Sequence, residues 1–279
     1  RWSRVRLKHR NSTKVHISAT EIADFKFCPV SYSIKQTFEL PKTKDEQKGA
    51  RLHTENHLEI FLHNLLSIKM QKSPKFISNK WWKTSKINTN RFSDSQREAV
   101  LGGEDGPLLE SSIVFKGHDG ENIEPFMSKD GLYAGIPDFI FKHPNEKLIA
   151  VEVKHVFKGR FVKSPWDSHK VQLFSYLYGI NFNSQAIEMA YLIYFHWAKS
   201  GTRWRNLGLP DVRSFRFDKN QRNRELLVGT YKKLVTFNNQ RTMEFLNSEL
   251  NINKCYNCSV QQYCNHFTGD KHTLELLYR

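Results

Sequence analysis

Cysteine is scarce. The 279 residues hold 4, and one near the start with three near the end do not make the dense disulfide framework of a small secreted domain. Methionine is equally rare, at 4, and 9 prolines with 14 glycines are too few for a collagen-like or linker-like chain. No stretch is apolar and long enough to cross a bilayer. The opening RWSRVRLKHR lacks the apolar centre of a secretory leader, which predicts a protein of the reducing cytoplasm with no membrane partner and thiols used for metal. Acids are the other shortage: 28 Asp and Glu face 43 Lys and Arg, a net charge of +15. That balance excludes an acidic, solvating chain and points to polyanions, nucleic acid above all.

What is present is an ordinary globular composition, 39% hydrophobic and 25% charged, with length enough for a substantial core. Positive charge is clustered. From Lys69 to Arg97 there are eight basic residues and one acid, Asp94. Basic residues return in Arg203, Arg205, Arg213, Arg216, Arg222 and Arg224. In the first cluster Lys80 and Lys83 bracket Trp81 and Trp82. Lysines interleaved with rings suit an unpaired strand, whose phosphates pair with ammonium groups while bases stack. The same adjacency suits a small satellite core or a protein-docking patch. Lys80, Trp81, Trp82, Lys83, Arg203 and Arg205 are the candidate DNA contacts.

Periodicity places these clusters among mixed elements. Ser18-Ala19-Thr20-Glu21 has capping-box spacing and opens a short helix that delivers Cys28, where Pro29 ends it. A helical pattern runs from about Asp45 to Leu66, with Leu58, Phe61, Leu62 and Leu65 as its apolar stripe. Residues 67–110 are polar and basic, as an insertion would be. Ser111 to Phe141 reads as strands with glycine turns, and Leu148 to Val156 as a short apolar strand. Ser164-Pro165-Trp166-Asp167 predicts a second capped helix ending at Gly179. Met189 to Trp197 reads as a strand and Glu225 to Leu250 as mainly helical. Strands and helices mixed in this way predict an α/β fold.

The densest chemistry lies in YAGIPDFIFKHPNEKLIAVEVKH. HPNEK is a turn between two strand-like runs, and a hairpin pivoting on Asn145 sets Asp138 opposite Glu152, with Cβ atoms roughly 5 Å apart. Opposed carboxylates repel unless a cation lies between them, and a divalent metal held by oxygens is the natural occupant. Lys154 falls on the same face of the strand as Glu152 and can orient a water or steady charge on a phosphate. A solvent-facing hairpin is the plainer alternative. Against it, Leu148 to Val151 has the apolar character of a buried strand. In the later helix His169, Gln172 and Tyr176 share one stripe, beside an apolar stripe of Trp166, Leu173 and Leu177.

Gly135-Ile136-Pro137-Asp138 followed by Glu152-Val153-Lys154 resembles motifs II and III of PD-(D/E)XK nucleases. Gly49-Ala50-Arg51-Leu52-His53 resembles the G-x-x-x-H motif of their RecB-like branch, and Gln172-Leu173-Phe174-Ser175-Tyr176 its Q-x-x-x-Y motif. Cys28 before this region with Cys255, Cys258 and Cys264 after it resembles the cysteine pattern of RecB-like nucleases that hold a [4Fe–4S] cluster. Taken together, the chain is most similar to the CRISPR-associated Cas-four family over about Ser18 to Cys264, apart from the insertion. The four thiols also suit tetrahedral zinc.

The resemblance implies an α/β fold of PD-(D/E)XK type, with a mixed central sheet flanked by helices and an iron–sulfur element joining the two ends. It implies Mn²⁺ or Mg²⁺ held by His53, Asp138, Glu152 and the carbonyl of Val153, with Lys154, Gln172 and Tyr176 assisting. The implied activity is a DNA nuclease preferring single strands, often as an exonuclease. In a CRISPR setting it would trim prespacers with Cas-one and Cas-two integrase proteins. A repair, replication or viral nuclease of the same fold, or a non-catalytic iron–sulfur DNA-binding scaffold, are the alternatives. The expected organisation is a basic arm at 1–16, a helical part at 17–66, the insertion at 67–110, a nuclease core at 111–250 and a cluster-binding segment at 251–279.

Overall fold

The computed structural model describes residues 6–7, 16–53, 106–118, 123–157, 162–197, 211–240, 252–255 and 258–264. The first half of the described chain contains β1 (Arg6–Leu7), β2 (Ile17–Ser18), α1 (Ala19–Phe27), α2 (Pro29–Thr37), β3 (Phe38–Glu39), α3 (Lys44–His53) and α4 (Gly106–Glu110). Next come β4 (Ser112–Lys116), β5 (Phe126–Met127), β6 (Tyr133–Gly135), β7 (Phe139–Lys142), β8 (Leu148–Val156), α5 (Asp167–Gly179), β9 (Asn181–Phe182) and β10 (Gln185–His196). The remainder is β11 (Asp211–Asp218), α6 (Gln221–Gln240), α7 (Ile252–Cys255) and a 3₁₀ turn at Gln261–Tyr263.

The expected hairpin forms in the expected register. Phe139 pairs with Val151, Ile140 with Ala150 and Lys142 with Leu148. Its turn is closed by the His143 amide donating to the Lys147 carbonyl at 2.9 Å, and Glu146 sits at φ 68°. A three-residue loop ending in a left-handed residue matches the twist of the strands it joins. The hairpin lies inside a mixed sheet ordered β11-β10-β8-β7-β4, with β9 also paired to β10. β8 and β10 run parallel and are linked through α5, as parallel neighbours require.

Alternation sorts the strand residues into two cores. Leu148, Ala150 and Val156 of β8 pack with Ala190, Leu192 and Tyr194 of β10 under α1, α2, α5 and α6. Ile149, Val151 and Val153 pack on the other face with Tyr191, Ile193, Phe195, Leu108 and Leu109. A strand covered on both sides is apolar nearly throughout, which is why β8 reads as a run rather than an alternation. Glu152 and Lys154 interrupt that run, on the α5 side.

Several expectations change in detail. The capping box at Ser18 is present, with Glu21 N donating to Ser18 Oγ at 3.1 Å and Ser18 N to Glu21 Oε2 at 2.8 Å. Pro29 ends α1 but also opens α2 as its first residue, since its missing N–H costs nothing there. The Ser164 capping box does not form. α5 begins at Asp167, and its N-cap, Trp166, makes no side-chain capping bond. The stripe of Trp166, Leu173 and Leu177 accordingly splits, with both leucines buried and Trp166 46% exposed. α4 falls at the end of the span read as an insertion and buries Leu108 and Leu109. β11 was not anticipated. It pairs antiparallel with β10, and Arg216 caps its end through an ion pair to Asp218 at 2.9 Å. The insertion at 67–105, with Lys80, Trp81, Trp82 and Lys83, lies outside the described residues, as do Leu58 to Leu65, Arg203 and Arg205.

Candidate active site

The segment Gly135-Ile136-Pro137-Asp138 runs from β6 into β7 beneath α5. Two close approaches fix it. A Cβ on Gly135 would lie 2.7 Å from Tyr176 Cε1 and 2.9 Å from Ala19 Cβ, so only glycine lets α1 and α5 close over the strand end. Gly117 N donates to the Asp138 carbonyl at 2.8 Å, anchoring the other edge.

Asp138 directly precedes β7, one step beyond the Phe139–Val151 pair, which brings it to the Glu152–Val153 end of β8. Asp138 Oδ2 accepts the Val153 amide at 2.7 Å. Burial pushes the Asp138 carboxyl up to about 6, against the opposing pull of the Lys154 ammonium and the Val153 amide. Glu152 is 3% exposed. Lys154 Nζ donates to Glu152 Oε1 at 2.6 Å and to Gln172 Oε1 at 2.8 Å. Gln172 Nε2 donates to Tyr176 Oη at 3.1 Å, and Tyr176 Oη donates to the Ile136 carbonyl at 3.2 Å. Burial, with the Glu152 carboxylate next, holds Tyr176 well above the usual tyrosine range, so it stays a neutral phenol. One hydrogen-bonded chain therefore ties the strand, α5 and the glycine-containing segment together.

Five residues singled out in the sequence, Asp138, Glu152, Lys154, Gln172 and Tyr176, thus come together on one face. His53 closes α3, which packs near β8, but its side chain lies outside the described residues. His169 shares the α5 stripe yet turns to Tyr194, its Nδ1 2.8 Å from Tyr194 Oη. Burial first, and the Lys154 charge second, hold its pKa well below that of a free histidine, so its imidazole is neutral. Tyr194, the cross-strand partner of Lys154, was not anticipated. Its position in β10, on the same face as the Lys154 it pairs with, is a matter of register between β8 and β10, which the sequence does not display.

Two carboxylates stand on this face with one ammonium, and burial makes the Asp138 charge costly without a further cation. Hard oxygen donors in that state suit a divalent cation such as Mg²⁺ or Mn²⁺.

The two ends of the chain also meet. Cys28 is at once the last cap of α1 and the first cap of α2. Cys258 Sγ lies 3.7 Å from Ser31 Oγ in the first turn of α2. Lys254 Nζ donates to the Phe27 carbonyl at 2.9 Å. Burial raises the Cys28 thiol pKa, while the Ser31 and Val30 amides at the start of α2 pull it down. Cys255 is also raised by burial, and Cys264 is buried at 8% exposure. Among the described residues no three His, Cys, Asp or Glu side chains stand close enough to hold a metal ion. The thiols share one neighbourhood without forming a closed ligand cage. Burial outweighs the Ser31 and Val30 amides, so the Cys28 sulfur keeps its proton unless a cation binds, and the amides would then help hold the thiolate.

No family model matches the chain, and no curated protein sequence does. Solved structures to which it is similar include the crystal structure of SSO0001, at 15% identity and a TM-score of 0.39, covering 92% of this chain and 89% of its own. An alkaline exonuclease (LHK-Exo) from Laribacter hongkongensis aligns at 7% identity and a TM-score of 0.30, covering 81% of this chain and 92% of its own. A phage related exonuclease from Haemophilus somnus 129PT aligns at 10% identity and a TM-score of 0.29, covering 79% of this chain and 95% of its own.

Proposed function

We propose that the chain is a metal-dependent deoxyribonuclease acting at the Asp138–Glu152–Lys154 site. The observation that carries this reading is the buried Glu152 carboxylate with Lys154 clamped between it and Gln172, and the half-buried Asp138 carboxylate bonded to the Val153 amide between them. A scaffold that only bound DNA would have no use for so costly an arrangement on the inner face of its sheet.

Asp138 and Glu152 would hold Mg²⁺ or Mn²⁺, with the Val153 carbonyl and His53 as further ligands. A metal held there would supply an acidified water and neutralise charge on the scissile phosphate. Lys154 orients the attacking water and offers positive charge to the phosphate as negative charge builds in line. Gln172 fixes the Lys154 ammonium, and Tyr176 fixes Gln172 from behind. Neutral His169 places no competing positive charge next to Lys154.

The motif resemblance supports further assignments of the same kind. The four cysteines would hold a [4Fe–4S] cluster with a structural task, and the substrate would be DNA with a single-stranded end. Prespacer trimming beside Cas-one and Cas-two proteins is the cellular role that fits a Cas-four-like chain. The test is digestion of end-labelled single- and double-stranded DNA with Mn²⁺, Mg²⁺ or chelator. Metal-dependent cleavage that disappears in Asp138→Ala is expected. Equal cleavage by parent and variant, both free of contaminating nuclease, sinks the assignment.

A further inference from the structure

Trp166 is the one aromatic residue among the exposed large hydrophobic side chains of the described chain, at 46% exposure. Neither core packing nor helix capping explains it. Its backbone is nonetheless held firmly, its amide donating to Tyr194 Oη at 3.3 Å and its carbonyl accepting from the amides of His169 and Lys170 at 3.0 Å each. One side of the indole rests on the His169 ring, centroids 5.0 Å apart and planes tilted by 40°. His169 is pinned in turn by Tyr194, whose strand partner is Lys154. A rigid indole therefore stands two side chains from the candidate active site.

Its surroundings are basic. Lys163 is exposed nearby in the chain, and Lys170 Nζ bonds Asp167 at 2.6 Å. The Lys170 hydrogen bond, then the charges of Lys170, Lys26 and Lys254, hold the Asp167 carboxyl below its ordinary range. Lys170 pairs with this acid directly, and exposed Lys163 lies three residues before the ring in the chain. Rigid aromatic surface with surplus positive charge matches a chain of bases and phosphates rather than an acidic or apolar protein segment.

We propose that Trp166 stacks on an unpaired nucleobase adjacent to the phosphate held at the Asp138–Glu152–Lys154 site, while the exposed Lys163 takes a neighbouring phosphate. This rests on the nuclease reading of that site and adds what it leaves open, how an unpaired strand is gripped beside the chemistry.

Binding is measured in chelator, so that no cleavage occurs, with a labelled single-stranded oligonucleotide and its duplex. Trp166→Ala should weaken single-strand binding by about 5- to 150-fold, the range for one lost stack, with a smaller effect on duplex. Trp166→Phe should keep most of the affinity because it keeps a ring. Oligonucleotides carrying one abasic site at successive positions add the decisive arm. The parent should be sensitive at the stacked position, and Trp166→Ala should lose that sensitivity. Unchanged binding by Trp166→Ala overturns the stacking role while leaving cleavage by the parent, and so the nuclease reading, in place. A loss shared by Trp166→Phe, with abasic sensitivity retained in both variants, also overturns it and makes the indole a cover for His169. A parent that neither binds DNA in chelator nor cleaves it with Mn²⁺ or Mg²⁺ overturns both readings.

Discussion

At the scale of single residues, the site sets function against stability. The Asp138 pKa, raised from 3.8 to about 6, means the folded metal-free protein resists ionising this carboxyl. Stability from this group is complete below about pH 4 and lost as pH rises through about 6, because the unfolded chain gives up the proton first. Asp138→Asn keeps an acceptor for the Val153 amide and removes the charge. The metal-free variant should therefore melt at a higher temperature than the parent at pH 7.5 and about equally at pH 4, while cleaving no DNA. A lower midpoint at pH 7.5 would contradict the burial argument. The same proton competes with a divalent cation, so Mn²⁺ affinity, followed by calorimetry, should rise about tenfold per pH unit below about 6 and level off above it. Lys154→Ala should also lower turnover sharply, since it removes the ammonium that bonds both Glu152 and Gln172. These residues were legible because strand alternation and a turn centre suffice to pair 138 with 152. His169 was less legible, since a helical stripe shows which side a residue faces but not which partner it will choose.

Elements show where glycine and helix boundaries decide the packing. Gly135 and Gly229 are an instructive pair. A methyl at Gly135 would press on Tyr176 and Ala19, whereas one at Gly229, within α6, meets nothing within 4 Å. Gly135→Ala should cost about 1–3 kcal/mol through overpacking and reduce cleavage by displacing Tyr176 from the Ile136 carbonyl. Gly229→Ala should gain about 0.5–1 kcal/mol from helix propensity and leave cleavage unchanged. Urea unfolding of both variants checks the signs, and a stabilised Gly135→Ala would refute the close-approach account. The strands β7 and β8 and the end of α5 were readable from turn residues, apolar runs and Gly179. The start of α5 was not. A capping box at Ser164 satisfies the spacing rule, but the Tyr194 hydroxyl takes the Trp166 amide and the chain stays extended until Asp167. β11 hid because Arg213 and Arg216, three residues apart and so on opposite faces of the strand, read in the sequence as a charge cluster rather than as an edge strand.

For the whole molecule, the question is why residues separated by most of the chain should meet at Cys28. The contact between Lys254 and Phe27, the approach of Cys258 to Ser31, and the burial of Val260 and Tyr263 in the α1–α5 core together close the chain upon itself. Bringing distant segments together costs entropy that grows slowly with loop length, so a few strong bonds at the junction stabilise the closure well. Thiolate bonds to a cluster would be such bonds, and the two ends would contribute unequally to them, one sulfur from the junction of α1 and α2 and three from the terminal segment. This asymmetry yields a definite expectation. Anaerobically purified protein should contain iron and acid-labile sulfide at about four atoms each per chain. Cys28→Ser, which removes the lone N-terminal ligand, should lose iron and thermal stability as fully as Cys258→Ser. A terminal segment that held its metal alone would instead keep iron in Cys28→Ser and lose it only in the Cys255, Cys258 and Cys264 variants. Stoichiometric zinc without sulfide would replace the cluster by a tetrahedral site. Equal loss of metal from variants at either end, with matching falls in melting temperature, would identify the junction as one shared centre joining the ends of the chain around the sheet that carries Asp138 and Glu152.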